Sequence, residues 1–211
     1  MAFFRSDFEK TVREMVVPLR SKPLNPKKTV VVNIDTINGF FVHGALSSPR
    51  LAAVVPAIVR VNEYFGFSKK LFFVDRHYDN SPEFSVYPEH CVDLSECEII
   101  EPLRPFADPV YSTVIYKNST NGFFSARFAQ WLKNNFEQFD HYVLTGGATD
   151  ICVMQFALSL KAYCNEHNCK KNVAVIENAV QTFDSDSHDG DRMHSFALYN
   201  MMMNGVKLYS I

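Results

Sequence analysis

Apolar and polar residues alternate along this chain in blocks of two lengths. Short, near-continuous apolar runs have the length and β-branched content of buried strands: TVVVNID (29–35), KLFFVD (70–75), STVIYK (112–117), HYVLTG (141–146), NVAVIE (172–177) and VKLYSI (206–211). CEII (97–100) reads as a weaker, shorter strand. Longer stretches between them carry helical periodicity: RLAAVVPAIVRVNEYFGF (50–67), ARFAQWLKNNF (126–136), DICVMQFALSLKAYCNEHN (150–168) and DRMHSFALYNMMMNG (191–205). Apolar strands alternating with helices predict an α/β fold. The expected form is a three-layer αβα sandwich around a mostly parallel six-stranded sheet. The first 28 residues stand apart. RSDFEKTVREMVVPLR can form an amphipathic helix, and SKPLNPKK, with two prolines, reads as a linker. The expected organisation is an N-terminal extension, 1–28, followed by one domain, 29–211.

Composition narrows the classes. The chain has 211 residues, 47% of them hydrophobic, enough to fill the core of one α/β domain. A net charge of −2 offers no basic surface for nucleic acid or for a membrane. No apolar run approaches the roughly 20 residues of a membrane span. The five cysteines (91, 97, 152, 164, 169) are odd in number, scattered, and never spaced as CxxC. With no apolar leader at the start, they read as free thiols in a reducing cytoplasm. The NST at Asn118 is then a chance match to a glycosylation sequon.

Polar residues fall where chemistry is expected. In open α/β sheets, sites collect outside the carboxyl ends of the strands. Asp35, Asp75, Lys117 and the 146–152 loop lie at four such ends. Thr149 or Asp150 offers a helix N-cap, which places Cys152 in the first turn of a helix. Free N–H groups and the helix dipole there favour a thiolate, and the same N–H groups can hold an oxyanion. Gly146, Gly147 and Ala148 leave the backbone open to a ligand. A buried, inert thiol is the competing reading; it suits mid-helix Cys164 better.

A second constellation lies in VDRHYDNSPEFSVYPEHC, which contains Asp75, His77, Glu83 and His90. Asp-x-His puts two side chains on one side of a strand end. Two imidazoles with carboxylates suit Zn²⁺, Fe²⁺ or Mn²⁺; a polar loop with unrelated histidines is the alternative. The acidic run DSDSHDGD (184–191) reads as a loop and helix start, and histidines 43, 141, 167, 188 and 194 receive no ligand role.

Together these segments resemble the isochorismatase-like cysteine hydrolases over about residues 29–211. Asp35 stands in NIDTINGFF, Lys117 in YKNSTNGFF, and Cys152 in GGATDICV. The resemblance implies a catalytic set of Asp35, Lys117 and Cys152. It also implies a cis peptide at Gly147–Ala148, and an oxyanion hole from Gly147, Ala148 and Cys152. Within that family, the D-x-H, the later Glu83 and the Tyr-Pro-x-His of 87–90 look like the nicotinamidase/pyrazinamidase branch. There Asp75, His77, Glu83 and His90 would hold one divalent ion: zinc, iron or manganese. Phe40 and Tyr87 would flank a substrate ring, with Phe124 also lining the pocket. The chain departs from the branch at Ile37 and Gly39, in the shifted aromatic of KNSTNGFF, and in Tyr87 where Trp is usual.

The implied activity is metal-dependent deamidation of nicotinamide to nicotinate and ammonia, a step of NAD salvage. A related amidase or ureido hydrolase, or a catalytically silent binding module, are the alternatives. The partners implied are a small-molecule amide substrate and further copies of the chain in a homo-oligomer.

Overall fold

The computed structural model describes residues 5–211. In chain order the elements are α1 (Arg5–Met15), β1 (Val17–Pro18), β2 (Thr29–Ile34), α2 (Asn38–Phe41), α3 (Pro49–Ala53), α4 (Val55–Tyr64), β3 (Lys69–Asp75), β4 (Ser112–Lys117), α5 (Ala126–Asn135), β5 (His141–Gly147), α6 (Met154–Glu166), β6 (Asn172–Gln181), α7 (Gly190–Met203) and β7 (Lys207–Ser210). The strands form one sheet in the order β1-β7-β6-β5-β2-β3-β4, and every neighbouring pair is parallel.

Alternate residues of each strand feed two cores, as the pleat requires. On one face Val30, Val32, Leu71, Phe73, Tyr142 and Leu144 pack with residues of α5, α6 and α7. On the other, Val31, Phe72, Val143 and Ala174 pack under Ile58 and Val61 of α4. Helices on both faces are what fully buried strands demand; all six residues of β2 are buried. A polar contact is built into the second core. Asn62 of α4 donates to Asn33 Oδ1 at 2.8 Å, and the Thr145 hydroxyl donates to the same oxygen at 3.0 Å. These bonds fix α4 over the junction of β2 and β5.

The sheet has seven strands, not the expected six. The seventh is β1, two residues that pair with Tyr209 and Ser210 of β7. A two-residue strand has no periodicity to read. Helix α1 packs its face on α7, with Phe8 edge-on to Tyr199 at 4.6 Å. It stops at Met15, ahead of an extended Val17 that precedes Pro18. Residues 97–100 form no strand; only an isolated bridge joins Ile99 to Ile37. The helix expected over 50–67 is two, α3 and α4, meeting at Val54. Pro56 lacks the N–H that would continue the ladder across that junction. No helix of the described residues is long and apolar enough to cross a membrane.

Candidate active site

The carboxyl ends of β2, β3, β4 and β5 are adjacent in the sheet, so their terminal side chains meet. Asp35 follows β2, Asp75 ends β3 and Lys117 ends β4, in direct register with Asp75. Lys117 Nζ lies 2.9 Å from Asp35 Oδ2, 2.9 Å from Asp75 Oδ1 and 4.0 Å from Cys152 Sγ. All four residues are buried. Asp35 takes a positive φ of 52°, a backbone region that few residues but Gly, Asn and Asp occupy.

The turn that carries Cys152 starts from Gly146. Its φ is +112°, and a Cβ there would sit 2.0 Å from the Ile34 carbonyl oxygen, so no other residue fits. The Gly147–Ala148 peptide is cis, as the resemblance implied. Thr149–Val153 then forms a π-helical turn that runs into α6. Neither Thr149 nor Asp150 caps it; the residue at the N-cap is Ala148. The two polar side chains reach sideways instead. Thr149 Oγ1 lies 3.0 Å from His194 Nδ1, and Asp150 Oδ2 lies 2.8 Å from His188 Nε2.

Protonation states follow from burial and charge. Burial pushes the Cys152 thiol well above its usual range; Lys117 opposes this and Asp35 adds to it. Burial thus opposes the thiolate that a helix-start position favours. Asp35 is pushed up to about 6, by burial first, with Lys117 opposing and Asp75 adding. For Asp75, burial also disfavours the charge. Lys117, together with the facing imidazoles of His77 and His90, outweighs it and holds Asp75 well below the usual carboxylate range. Burial disfavours the charge on Lys117, but the two carboxylates outweigh it and hold the lysine well above its usual range. Two acids share one lysine, and their environments drive their pKa values apart.

Asp75 also belongs to a second cluster. Its Oδ2 lies 3.1 Å from His77 Nε2 and 3.4 Å from His90 Nε2, and Glu83 Oε2 lies 3.7 Å from His77 Nε2. One donor atom from each of Asp75, His77, Glu83 and His90 falls within 4.8 Å of the others. The outer contacts fit a metal site. His90 Nδ1 donates to the Pro88 carbonyl at 2.8 Å, and His77 Nδ1 is 3.0 Å from Asn118 Oδ1. With both Nδ1 atoms so engaged, both Nε2 atoms turn toward the carboxylates, the arrangement found around ligating histidines. Glu83 is held by its other oxygen, which accepts from the Thr120 N–H at 2.6 Å. Two imidazoles and two carboxylates suit a divalent cation of the zinc, iron or manganese type.

One pocket joins the two clusters, and Asp75, Glu83, His90, Gly147, Ala148 and Cys152 line it. Phe40 and Tyr87 line it too, with ring centroids 5.8 and 6.3 Å from that of His90. Phe124 does not join them. The short turn Gly122–Phe124 directs Phe123 against Phe128 and Phe156 and leaves Phe124 76% exposed. Leu46, Leu51, Thr120, Ile151 and Phe183 complete the wall, none of them singled out from sequence. Asn118 was also missed, although it follows Lys117 directly.

Comparison with known proteins identifies the family and the fold. The model of the isochorismatase domain matches residues 29–206. The pyrazinamidase/nicotinamidase of Streptococcus mutans UA159 is similar with a TM-score of 0.72 and 22% identity, over 85% of this chain and 99% of that one. The pyrazinamidase of Pyrococcus horikoshii, solved in complex with zinc, gives 0.70 and 21%, over 87% and 99%. The N-carbamoylsarcosine amidase of Thermoplasma acidophilum gives 0.66 and 26%, over 87% and 96%. The chain matches no curated protein sequence. With a domain match over most of its length, and a fold shared with these structures, the chain belongs to the isochorismatase family of hydrolases.

Proposed function

We propose that this protein is a metal-dependent cysteine amidohydrolase that deamidates nicotinamide to nicotinate and ammonia. The observation that carries the reading is the single pocket lined by Cys152, by Asp75, Glu83 and His90 of the cluster, and by Phe40 and Tyr87. A nucleophile, a cation site and two aromatic walls are what an amide on a nitrogen heterocycle requires.

In this reading Asp35 takes the Cys152 thiol proton as the sulfur attacks the amide carbon. The N–H groups of Ala148 and Cys152 hold the oxyanion, and Lys117 balances the charge that remains. Collapse of the tetrahedral adduct breaks the C–N bond, and Asp35 returns the proton to the leaving ammonia. Water, deprotonated by Asp35, then cleaves the thioester to nicotinate, and the thiolate recovers the proton. Burial that disfavours the thiolate fits this order, in which the proton passes to Asp35 as the sulfur attacks. Asp75, His77, Glu83 and His90 would hold one divalent ion, which would supply a Lewis acid for the ring nitrogen and orient the ring. We further propose that the enzyme is cytoplasmic and homo-oligomeric, acts in NAD salvage, and comprises residues 29–211 as its hydrolase domain with 1–28 as an extension.

The carbamoylsarcosine amidase among the similar structures supports a second reading, an amidase or ureido hydrolase on another acyl group. Ammonia release from nicotinamide, pyrazinamide, N-carbamoylsarcosine and ureidoacrylate separates the two. Fastest turnover of the two ring amides, lost on chelation, is expected. Fastest turnover of either ureido compound would replace nicotinamide as the substrate.

A further inference from the structure

We infer that Phe183 is a specificity-determining wall of the pocket, held by the His188–Asp150 pair, so that the acidic turn after β6 limits the size of ring admitted. This rests on the reading of the pocket as an aromatic-amide site. Phe183 lines the same cavity as Cys152 and Ile151. Its ring stacks on His188, with centroids 4.0 Å apart and planes 12° apart. His188 Nδ1 donates to the Phe183 carbonyl at 3.1 Å, and His188 Nε2 lies 2.8 Å from Asp150 Oδ2. One imidazole therefore grips both the ring and the backbone of residue 183. It ties them to the turn that carries the nucleophile, two residues before Cys152.

The turn itself is closely specified. Ser185 and His188 exchange two backbone hydrogen bonds, of 3.0 and 3.1 Å. The Gly190 N–H donates to Asp184 Oδ1 at 2.9 Å, and a Cβ on Gly190 would come within 2.6 Å of the Phe183 carbonyl oxygen. Arg50, next to the pocket residue Leu51, holds the far side. Its Nη2 lies 2.5 Å from Asp191 Oδ1, and its Nε donates to the Thr182 carbonyl at 3.3 Å. With its ring stacked on His188 and its carbonyl held by the same imidazole, Phe183 gives way to a larger ligand only by breaking the stack or moving the turn. His188 and Asp150 are positioning residues in this account, because they act through Phe183.

The test is the selectivity of Cys152 alkylation. Second-order rates are measured with iodoacetamide and with N-(1-naphthyl)chloroacetamide, and labelling at Cys152 is located by peptide mass spectrometry. The ratio of the two rates cancels any general change in thiol reactivity. Phe183→Ala is expected to raise the ratio for the bulky reagent by about tenfold or more, on the scale at which apolar pockets discriminate. Phe183→Leu, the milder variant, should raise it less. His188→Ala should raise the ratio in the wild-type background and add nothing in the Phe183→Ala background. In parallel, His188→Ala should raise KM for nicotinamide by a larger factor than it lowers kcat. An unchanged ratio in both Phe183 variants, or a His188 effect that adds in full to that of Phe183→Ala, would overturn the inference. A wild-type protein inert toward nicotinamide would count against the proposed function and still leave the alkylation ratio to judge this wall.

Discussion

Replacing Lys117 by Met removes a cation that lies 2.9 Å from each of two buried carboxylates, Asp35 and Asp75. Removing one member of a buried ion pair leaves its partner charged in a medium of low dielectric, at a cost of about 3–5 kcal/mol. For a chain of this size each kcal/mol moves Tm by about 2–4 °C, so the midpoint should fall by roughly 6–20 °C. The loss depends on pH. Asp35 is raised to about 6 even with Lys117 beside it, and it moves higher once the lysine is gone. An acid whose folded pKa exceeds its unfolded value binds its proton more tightly in the folded state. Its penalty is absent below the unfolded pKa and grows as pH rises through the folded one. The variant should therefore lose more stability near pH 8 than near pH 5. Thermal melts of wild type and Lys117→Met at both pH values, with chelator in every sample, measure this. A variant within about 1 kcal/mol of wild type near pH 8, or one that loses more near pH 5, would refute the charge balance described for the site.

Further outcomes follow from the same contacts. Asp35→Asn should lower kcat by about 10²–10⁴-fold. In the wild type, kcat/KM should fall as pH drops through about 6, because only the ionised Asp35 accepts the thiol proton; a flat profile across that range would contradict this role. Asn118→Ala removes the shorter of two contacts to His77 Nδ1, leaving Ser81 Oγ at 3.3 Å, and should weaken zinc binding by roughly 10–100-fold in calorimetric titration, whereas unchanged affinity would remove Asn118 from the support of the site. Gly146→Ala forces a Cβ to within 2.0 Å of the Ile34 carbonyl at a φ of +112°. It should destabilise the fold by more than about 4 kcal/mol, and a soluble variant with wild-type Tm would show that the turn can relax.

Much of this arrangement is legible in the chain because parallel strands are buried on both faces. Each strand reads as an apolar run with its polar residue at the carboxyl end, and β2, β3, β4 and β5 bring Asp35, Asp75, Lys117 and Cys152 together. Donor spacing was also informative: D-x-H followed by Glu83 and His90 does form one cluster. Strand β1 was not legible, since two residues carry no alternation. The exposure of Phe124 was hidden for a related reason: GFF gives two equivalent aromatics, and only the packing of Phe123 on Phe128 and Phe156 decides between them. The thiol state of Cys152 needed its burial, which a helix-start position does not reveal. The contacts of Asp150 with His188 and of Thr149 with His194 join residues 38 and 45 positions apart, and no local pattern marks them.

Acid-quenched intact-mass spectrometry during nicotinamide turnover, on wild type and Cys152→Ala in parallel, tests the proposed chemistry most directly. The account predicts a nicotinoyl adduct on the wild-type chain, mapped to the peptide bearing Cys152. It predicts neither adduct nor ammonia release from a Cys152→Ala variant that melts like the wild type. Ammonia release that persists in Cys152→Ala, or an adduct mapped to another residue, would contradict it.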